Sequence, residues 1–397
     1  DQVVPMLPKQ LSNGICSLNE GELRLAFSCL MHLDKTGNLV DYKFVKSVIR
    51  SRVKGVYSEI NALLAGTADR ETQYKYAEVA AQLPAMKALY TLRAGLRRER
   101  GCMDIESGEV KLILDENGRC IDVKKRVQGE SEAMIEEFML LANQCAAHFA
   151  RTKQVPFVYR VHEEPNSEKL ERLHTLLQAC GINDHFAKEV PEPKELSAIL
   201  EGVKGTPYEK IIHTGLLRCM SKAEYQAEPK GHYGLVLKDY AHFTSPIRRY
   251  PDLAIHRILT AMLGGMDKET LTVSYSDFAE KVSKQSSAQE VVAMQIERRA
   301  EDCYKAEYAR AHIGEHREGT ISGVTQKGVF VELDNGVEGF VPVGSLTATG
   351  ALLTEGVRLS DPVSGKQWAL GDRLMITIVR ADVNLGKIDF EAAAPNM

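Results

Sequence analysis

The residues best suited to chemistry stand together in one run, Ala241-His242-Phe243-Thr244-Ser245-Pro246-Ile247-Arg248-Arg249-Tyr250-Pro251-Asp252-Leu253. Ser245 is a helix-capping residue type, and Pro246 suits a first helical position, where its missing N–H would have had no intrahelical partner. The spacing predicts a helix starting at Pro246, with the amides just beyond it free for an anion at the positive end of the helix dipole. Arg248 and Arg249 would bring two permanent charges into that same first turn, with planar donor forks that match phosphate oxygens. The chemistry suggested is phosphate binding. Residue types alone fit a capped surface helix with solvated arginines equally well.

The elements that must position this run alternate between hairpins and helices. Leu23 to Leu33 and Leu39 to Val48 read as strands joined by the turn formers Asp34-Lys35-Thr36-Gly37-Asn38. A mainly helical stretch follows to about residue 100. Val110 to Leu114 and Cys120 to Val123, linked across Asp115 to Gly118, predict a second hairpin before a helix over Ser131 to Ala150. Glu163 to Glu201 mixes short helices with Pro165, Pro191 and Pro193 and reads as an irregular excursion within one domain. A long helix is expected to open at Ser287, with Glu290 three residues on, to carry Val292, Ile296, Ala300 and Cys303 on one face, and to stop at Gly314.

After about residue 316 the periodicity becomes alternating. Val329, Val331 and Leu333 point one way and Phe330 and Glu332 the other, and Asn335-Gly336 supplies a tight turn into Val337 to Val343. With Leu374 to Val379 and Lys387 to Phe390 this makes about five strands, the number an OB-type barrel requires. The fold class expected is α+β: a largely helical part with β-hairpins, followed by an all-β barrel.

With 397 residues and 44% hydrophobic content the chain has the length for two or three domains and the composition to bury a core. A net charge of -4 gives no global polyanion signature, so any nucleic-acid affinity must come from local basic patches. The eight cysteines contain no CxxC pair and read as buried free thiols. His312 and His316 are four apart with Gly314 between them, which fits a helix end better than a metal site. No apolar run approaches the roughly 18 residues needed to cross a membrane, and no signal peptide opens the chain, so a cytoplasmic protein is expected. Residue 1 is an aspartate and the first apolar segment reads as the interior of a domain, so the chain is expected to be a fragment.

Three separated segments carry a family resemblance. AHFTSPIRRYPDL resembles the most recognisable stretch of the ribonuclease II and ribonuclease R family of 3′-to-5′ exoribonucleases. Val4-Pro5-Met6-Leu7-Pro8 with Leu11 to Leu18 is similar to the middle of that family's RNB catalytic domain, and Gly231-His232-Tyr233-Gly234-Leu235 to its lead-in to the arginines. EGTISGVTQKGVFVELDNGVEGFVPVGSL resembles an S1 RNA-binding domain. The resemblance implies an RNB domain over 1–315 lacking its N-terminal part and an S1 domain of OB fold over 316–393.

It further implies hydrolysis of single-stranded RNA from the 3′ end to nucleoside 5′-monophosphates, using magnesium in the full-length enzyme, by a monomer. Arg248 matches the family's catalytic arginine, which would neutralise charge on the transition state, and Arg249 and Ser245 are expected to support phosphate binding. Tyr57 matches a tyrosine lining the RNA channel, Glu136 a glutamate that tells RNA from DNA, and Glu297 a glutamate near the active site. A carboxylate can accept from a 2′-hydroxyl, which makes the second role physically sensible. Ile105 stands where relatives place a stacking aromatic. In the S1-like part Lys327 and Pro342 replace platform residues, leaving Phe330 as the stacking candidate and Lys327 offering charge instead. The metal-binding run D-x-x-x-x-x-D-x-D-D is not in this sequence, so no metal ligand is assigned. A non-catalytic RNA-binding protein using the arginine segment and the barrel is the alternative, and a protein-interaction scaffold a third possibility.

Overall fold

A computed structural model describes residues 4–103, 109–183, 185–206, 208–354 and 357–393. In chain order the elements are β1 (Leu23–Leu33), β2 (Leu39–Arg50), α1 (Tyr57–Ala65), α2 (Arg70–Lys75), α3 (Leu83–Glu99), β3 (Val110–Leu114), β4 (Cys120–Lys125), α4 (Glu130–Lys153), β5 (Tyr159–Val161), α5 (Ser167–Ala179), α6 (Pro193–Val203), α7 (Glu209–Cys219), β6 (Glu224–Gln226), α8 (Tyr250–Leu263) and α9 (Lys268–Ala311). There follow β7 (His316–Thr325), β8 (Gly328–Leu333), β9 (Glu338–Pro342), α10 (Val343–Leu346), β10 (Leu352–Thr354), β11 (Arg358–Ser360), β12 (Gln367–Ala369), β13 (Arg373–Asp382) and β14 (Lys387–Ala392). Packing divides the chain into one unit of residues 1–103, 128–163 and 222–289 and another of 104–127, 164–221 and 290–397.

In the first unit, β1 and β2 pair antiparallel across the expected turn, where one Asp34 carboxylate oxygen accepts the Thr36 and Asn38 amides at 2.9 Å each. Gly37 adopts φ +85°, a conformation that penalises any Cβ. Phe27, Cys29 and Met31 with their neighbours Tyr42 and Phe44 pack on α4, whose Ala142, Ala146 and Ala150 form a stripe of small side chains at four-residue spacing. The same core takes in Phe157 and Val158, Ile255, Ile258 and Leu259 of α8, and Leu271, Ala279 and Val282 of α9.

Two expectations are corrected here, and the opening segment is notable for its exposure: Val4, Met6, Ile15 and Leu18 are exposed, and so are Leu23, Leu25 (82% exposed) and Val48 at the open end of the hairpin. No described part of the chain packs over them. First, α9 does not open at Ser287 but runs unbroken from Lys268, because residues 268–311 contain no glycine or proline to stop it. Ser287 sits mid-helix and uses its hydroxyl on another strand, accepting the Tyr225 amide (2.8 Å) and donating to the Tyr225 carbonyl (3.2 Å). Val292 and Ile296 of that helix are exposed. Second, of the eight free cysteines Cys102, Cys120, Cys145 and Cys219 are buried, whereas Cys16 is exposed.

The second unit contains a closed barrel of order β13-β14-β9-β8-β7. Val329, Val331, Leu333, Val341, Ile376, Ile378 and Phe390 fill it, as the alternation requires. Gly336, at φ +90°, makes the hairpin turn between β8 and β9. Cys120 and Val123 of the β3–β4 hairpin join the barrel core. In the same unit α5 and α6 pack on α7 through Leu173, Leu177, Leu196, Ile212 and Leu216, all fully or almost fully buried.

Candidate functional site

The helix start expected at Pro246 is displaced by four residues. Residues 245–249 form a tight turn in which the Ser245 carbonyl accepts the amides of Arg248 (3.2 Å) and Arg249 (2.9 Å). Helix α8 begins at Tyr250, with Arg249 in extended conformation as its N-cap and Pro251 in its first turn. The cause is Asp252. Its side chain is 0% exposed, and one of its oxygens accepts both the Ser245 amide (2.7 Å) and Arg249 Nη2 (2.8 Å), folding the segment back onto the helix start. Ser245 therefore opens a turn instead of capping a helix, and the two amides expected to be free are occupied.

The consequence is a division of labour between the arginines. Arg249 is half-buried and tied to Asp252, whereas Arg248 is exposed and its guanidinium makes no hydrogen bond or ion pair to a described residue. Burial raises the Asp252 carboxyl above its ordinary range, against the pull of the Arg249 charge. Thr244 Oγ1, Arg249 Nε and the second Asp252 oxygen are buried without partners, so this turn concentrates unsatisfied polar atoms.

Two helices fix the strand that leads into the turn. Asn143 of α4, itself buried, accepts the Phe243 amide (2.8 Å) and donates to the Tyr240 hydroxyl (3.3 Å). His256 of α8 donates through Nε2 to the Phe243 carbonyl (2.8 Å). Beside this strand lies a column of rings: His232 against Tyr240 (5.2 Å between centroids), Tyr240 against His242 (5.7 Å), and His242 against Tyr225 (5.6 Å), with Arg160 over the Tyr225 ring at 4.6 Å. Burial, and then the neighbouring charges, depress His232 to about 3 and His242 to about 2, so both rings are neutral near pH 7.

Tyr57 begins α1, 48% exposed, and its carbonyl accepts from Ser131 of α4 (3.1 Å). Asn61 further ties the two helices by accepting the Ser131 amide (2.8 Å) and donating to Glu132 (3.0 Å). Glu136 lies on the exposed side of α4, accepting from Gln128 (2.7 Å). Its charge and that of Arg249 both act on Tyr240, whose hydroxyl burial pushes up. The first unit thus contains Arg248, Arg249, Ser245, Tyr57 and Glu136. Glu297 is exposed on α9 in the second unit, as are Lys327 and Phe330 on the barrel. Ile105 lies outside the described residues.

On the barrel, Phe330 is 37% exposed and packs against Phe340, with ring centroids 5.1 Å apart and the planes tilted by 55°. The two are cross-strand partners. They border a cavity of about 880 Å³ that also meets Lys305, Lys327 and Lys387. Phe340 is absent from the sequence expectations: a two-residue Asn335-Gly336 turn would set Val341 opposite Phe330, whereas the turn spans Asp334 to Gly336 and sets Phe340 there. His242 and Asp252 were within the quoted motif yet unassigned, and Asn143 lies two helical turns from Glu136 on the same face of α4. His312 and His316 hydrogen-bond to the Tyr308 carbonyl (2.7 Å) and the Thr377 hydroxyl (2.8 Å) respectively. Among the described residues no three carboxylate, imidazole or thiol groups converge, and no helix is long and apolar enough to cross a membrane.

The first unit thus holds an arginine turn beside a column of rings, and the second a closed five-stranded barrel of OB type. Residues 1–265 match the RNB domain and residues 310–392 the S1 RNA binding domain, and the chain belongs to the RNB-domain family. It is 37% identical over 392 residues to Ribonuclease R 1 of Lactococcus lactis, covering 98% of this chain and 48% of that protein. To Ribonuclease R of Thermotoga maritima it is 38% identical over 393 residues, covering 98% and 55%. Mycoplasma genitalium RNase R in complex with ribose methylated single-stranded RNA shares the fold with a TM-score of 0.91 and 28% identity, over 99% of this chain and 61% of that chain. The chain spans about half the length of the curated relatives it matches.

Proposed function

We propose that this chain is part of a 3′-to-5′ hydrolytic exoribonuclease that degrades single-stranded RNA to nucleoside 5′-monophosphates in cytoplasmic RNA turnover. Residues 1–315 are assigned to the RNB domain and 316–393 to the S1 domain, in a monomer. The observation that carries the reading is the pinned arginine turn. Asp252 and Asn143 immobilise the backbone on either side while Arg248 is left exposed and unpaired, which is the arrangement a phosphodiester needs from a preorganised cation. Arg248 is the catalytic candidate. Arg249 and Ser245 hold the turn, Tyr57 and Glu136 contact the sugar and base side of the strand, and Glu297, Phe330 and Lys327 are assigned RNA contacts in the second unit.

The magnesium that the family resemblance implies does not fit the described residues, since no three suitable ligands converge, and no step is derived through it. That same observation favours the second reading, in which this chain by itself binds RNA without cutting it. Incubation with 5′-labelled single-stranded RNA and magnesium separates the two. A ladder of shortened products that Arg248→Ala reduces by orders of magnitude supports hydrolysis. Intact RNA with a salt-sensitive gel shift supports binding alone, and no shift at all refutes both.

A further inference from the structure

His242 belongs to the run that carries the arginines, yet nothing above gives it a task. Its Nδ1 lies 2.9 Å from the Tyr225 hydroxyl, and its Nε2 has no hydrogen-bond partner among the described residues. The Arg160 guanidinium above the Tyr225 ring makes that phenol the better donor, so Nδ1 accepts and Nε2 carries the proton. The ring lies within electrostatic reach of Arg249, Arg160, His232 and Arg248. His242 is half-buried and its Nε2 is not one of the buried unpartnered atoms of the turn, so the N–H is open to an incoming ligand, and in the field of three arginines it is matched to an anionic oxygen.

We propose that His242 is a further RNA-contacting residue of the arginine turn, donating a hydrogen bond from Nε2 to a phosphate oxygen of the strand that Arg248 engages. The inference rests on the RNA-binding reading above and adds a neutral donor to the cations of that site. Neutrality is kept by the surroundings: burial first, and then the charges of Arg249, Arg160, His232 and Arg248, hold the imidazole at about 2. A donor that stays uncharged adds affinity without releasing counterions, which sets it apart from Arg248.

The test is fluorescence anisotropy of the full chain with fluorescein-labelled oligouridylate in EDTA, over a range of salt and from pH 5.5 to 8. In His242→Gln the side-chain amide reaches the position of Nε2, whereas in His242→Asn it reaches only Nδ1 and keeps the Tyr225 contact. His242→Asn is expected to weaken binding about tenfold, the size of one hydrogen bond to a charged group, with an unchanged salt slope. His242→Gln should remain within about threefold of the unmodified chain, and Arg248→Ala should lower the slope by about 0.7. Tyr225→Phe, which releases the tautomer, should cost about two- to threefold and covers the case in which His242→Asn fails to fold.

Unchanged affinity in both His242→Asn and Tyr225→Phe overturns the proposal, as does a Gln variant as weak as the Asn variant, which would make the ring a packing element. Affinity that rises toward pH 5.5 and loses that rise in His242→Gln would overturn the neutral form. If the unmodified chain fails to bind, or Arg248→Ala binds with the same slope, the RNA-binding reading itself fails. If those controls behave and only His242→Asn is silent, the RNA-binding reading stands without this inference.

Discussion

The arginine turn and the aromatic face of the barrel, both proposed above to meet RNA, are built by opposite constructions. The turn is assembled from side chains of several elements, Asn143 on α4, His256 and Asp252 on α8 and Tyr225 on β6, and it retains buried polar atoms without partners. The barrel face needs only strand alternation and one glycine turn to set Phe330 beside Phe340. The first is a polar arrangement in which each removal leaves another group unsatisfied. The second is an apolar one that tolerates truncation.

The largest expected break in this contrast is Asp252→Ala. Removing one partner of a buried ion pair leaves Arg249 uncompensated and the Ser245 amide unmade, and such losses run to about 3 to 5 kcal/mol. Urea unfolding should register that loss in the first unit. A change below about 1 kcal/mol would mean that Asp252 does not hold the turn.

Acid sharpens the comparison next. His232 and His242 have folded pKa values near 3 and 2, below the ordinary 6.5. Their depressed values mean that the fold favours the neutral rings, so this stability is fully present above about pH 6.5 and is lost as pH falls toward the folded values. Between pH 6.5 and 5 the loss is roughly 1.5 kcal/mol for each ring. Hydrogen exchange, corrected for intrinsic rate, should show Gly231 to Phe243 losing protection over that interval while β7 to β9 retain it. The fluorescence of Trp368, the single tryptophan, reports on the barrel unit and should hold steady. Equal loss in both units would remove the histidine column as the cause.

These two regions also differ in how far they could be read from the sequence. The barrel was legible because its signals are local: the alternation of Val329 to Leu333 and the Asn335-Gly336 turn carry the fold without help from elsewhere. The β1–β2 hairpin was legible for the same reason, through Asp34 to Asn38. At the arginines two prolines, Pro246 and Pro251, each suit a helix start, and the choice between them is made by the burial of Asp252, which local spacing does not express. Ser287 has a capping residue type but sits in a helix with no breaker on either side. Asn143 reads as an ordinary helix-surface residue until α4 is packed against the strand it holds. The arginines proposed to meet phosphate were visible by type, and the residues that hold their turn were not.

The smallest effect belongs to the barrel. Phe330→Ala removes one ring of the aromatic pair but leaves Phe340 and the lysines of the cavity in place, so RNA affinity should fall by about tenfold, the low end of the range for a stacked base. Because Phe330 is partly exposed and Val329 and Val331 fill the barrel without it, the unfolding midpoint should move little. Phe340→Ala should have a comparable effect on binding, and the double variant should lose less than the sum, since each ring orients the other. The decisive comparison is the salt dependence. Loss of a stacking ring shifts affinity equally at all salt concentrations, whereas loss of Arg248 changes the slope. A Phe330→Ala variant with an altered slope, or with unaltered affinity, would show that the barrel face does not hold RNA by stacking.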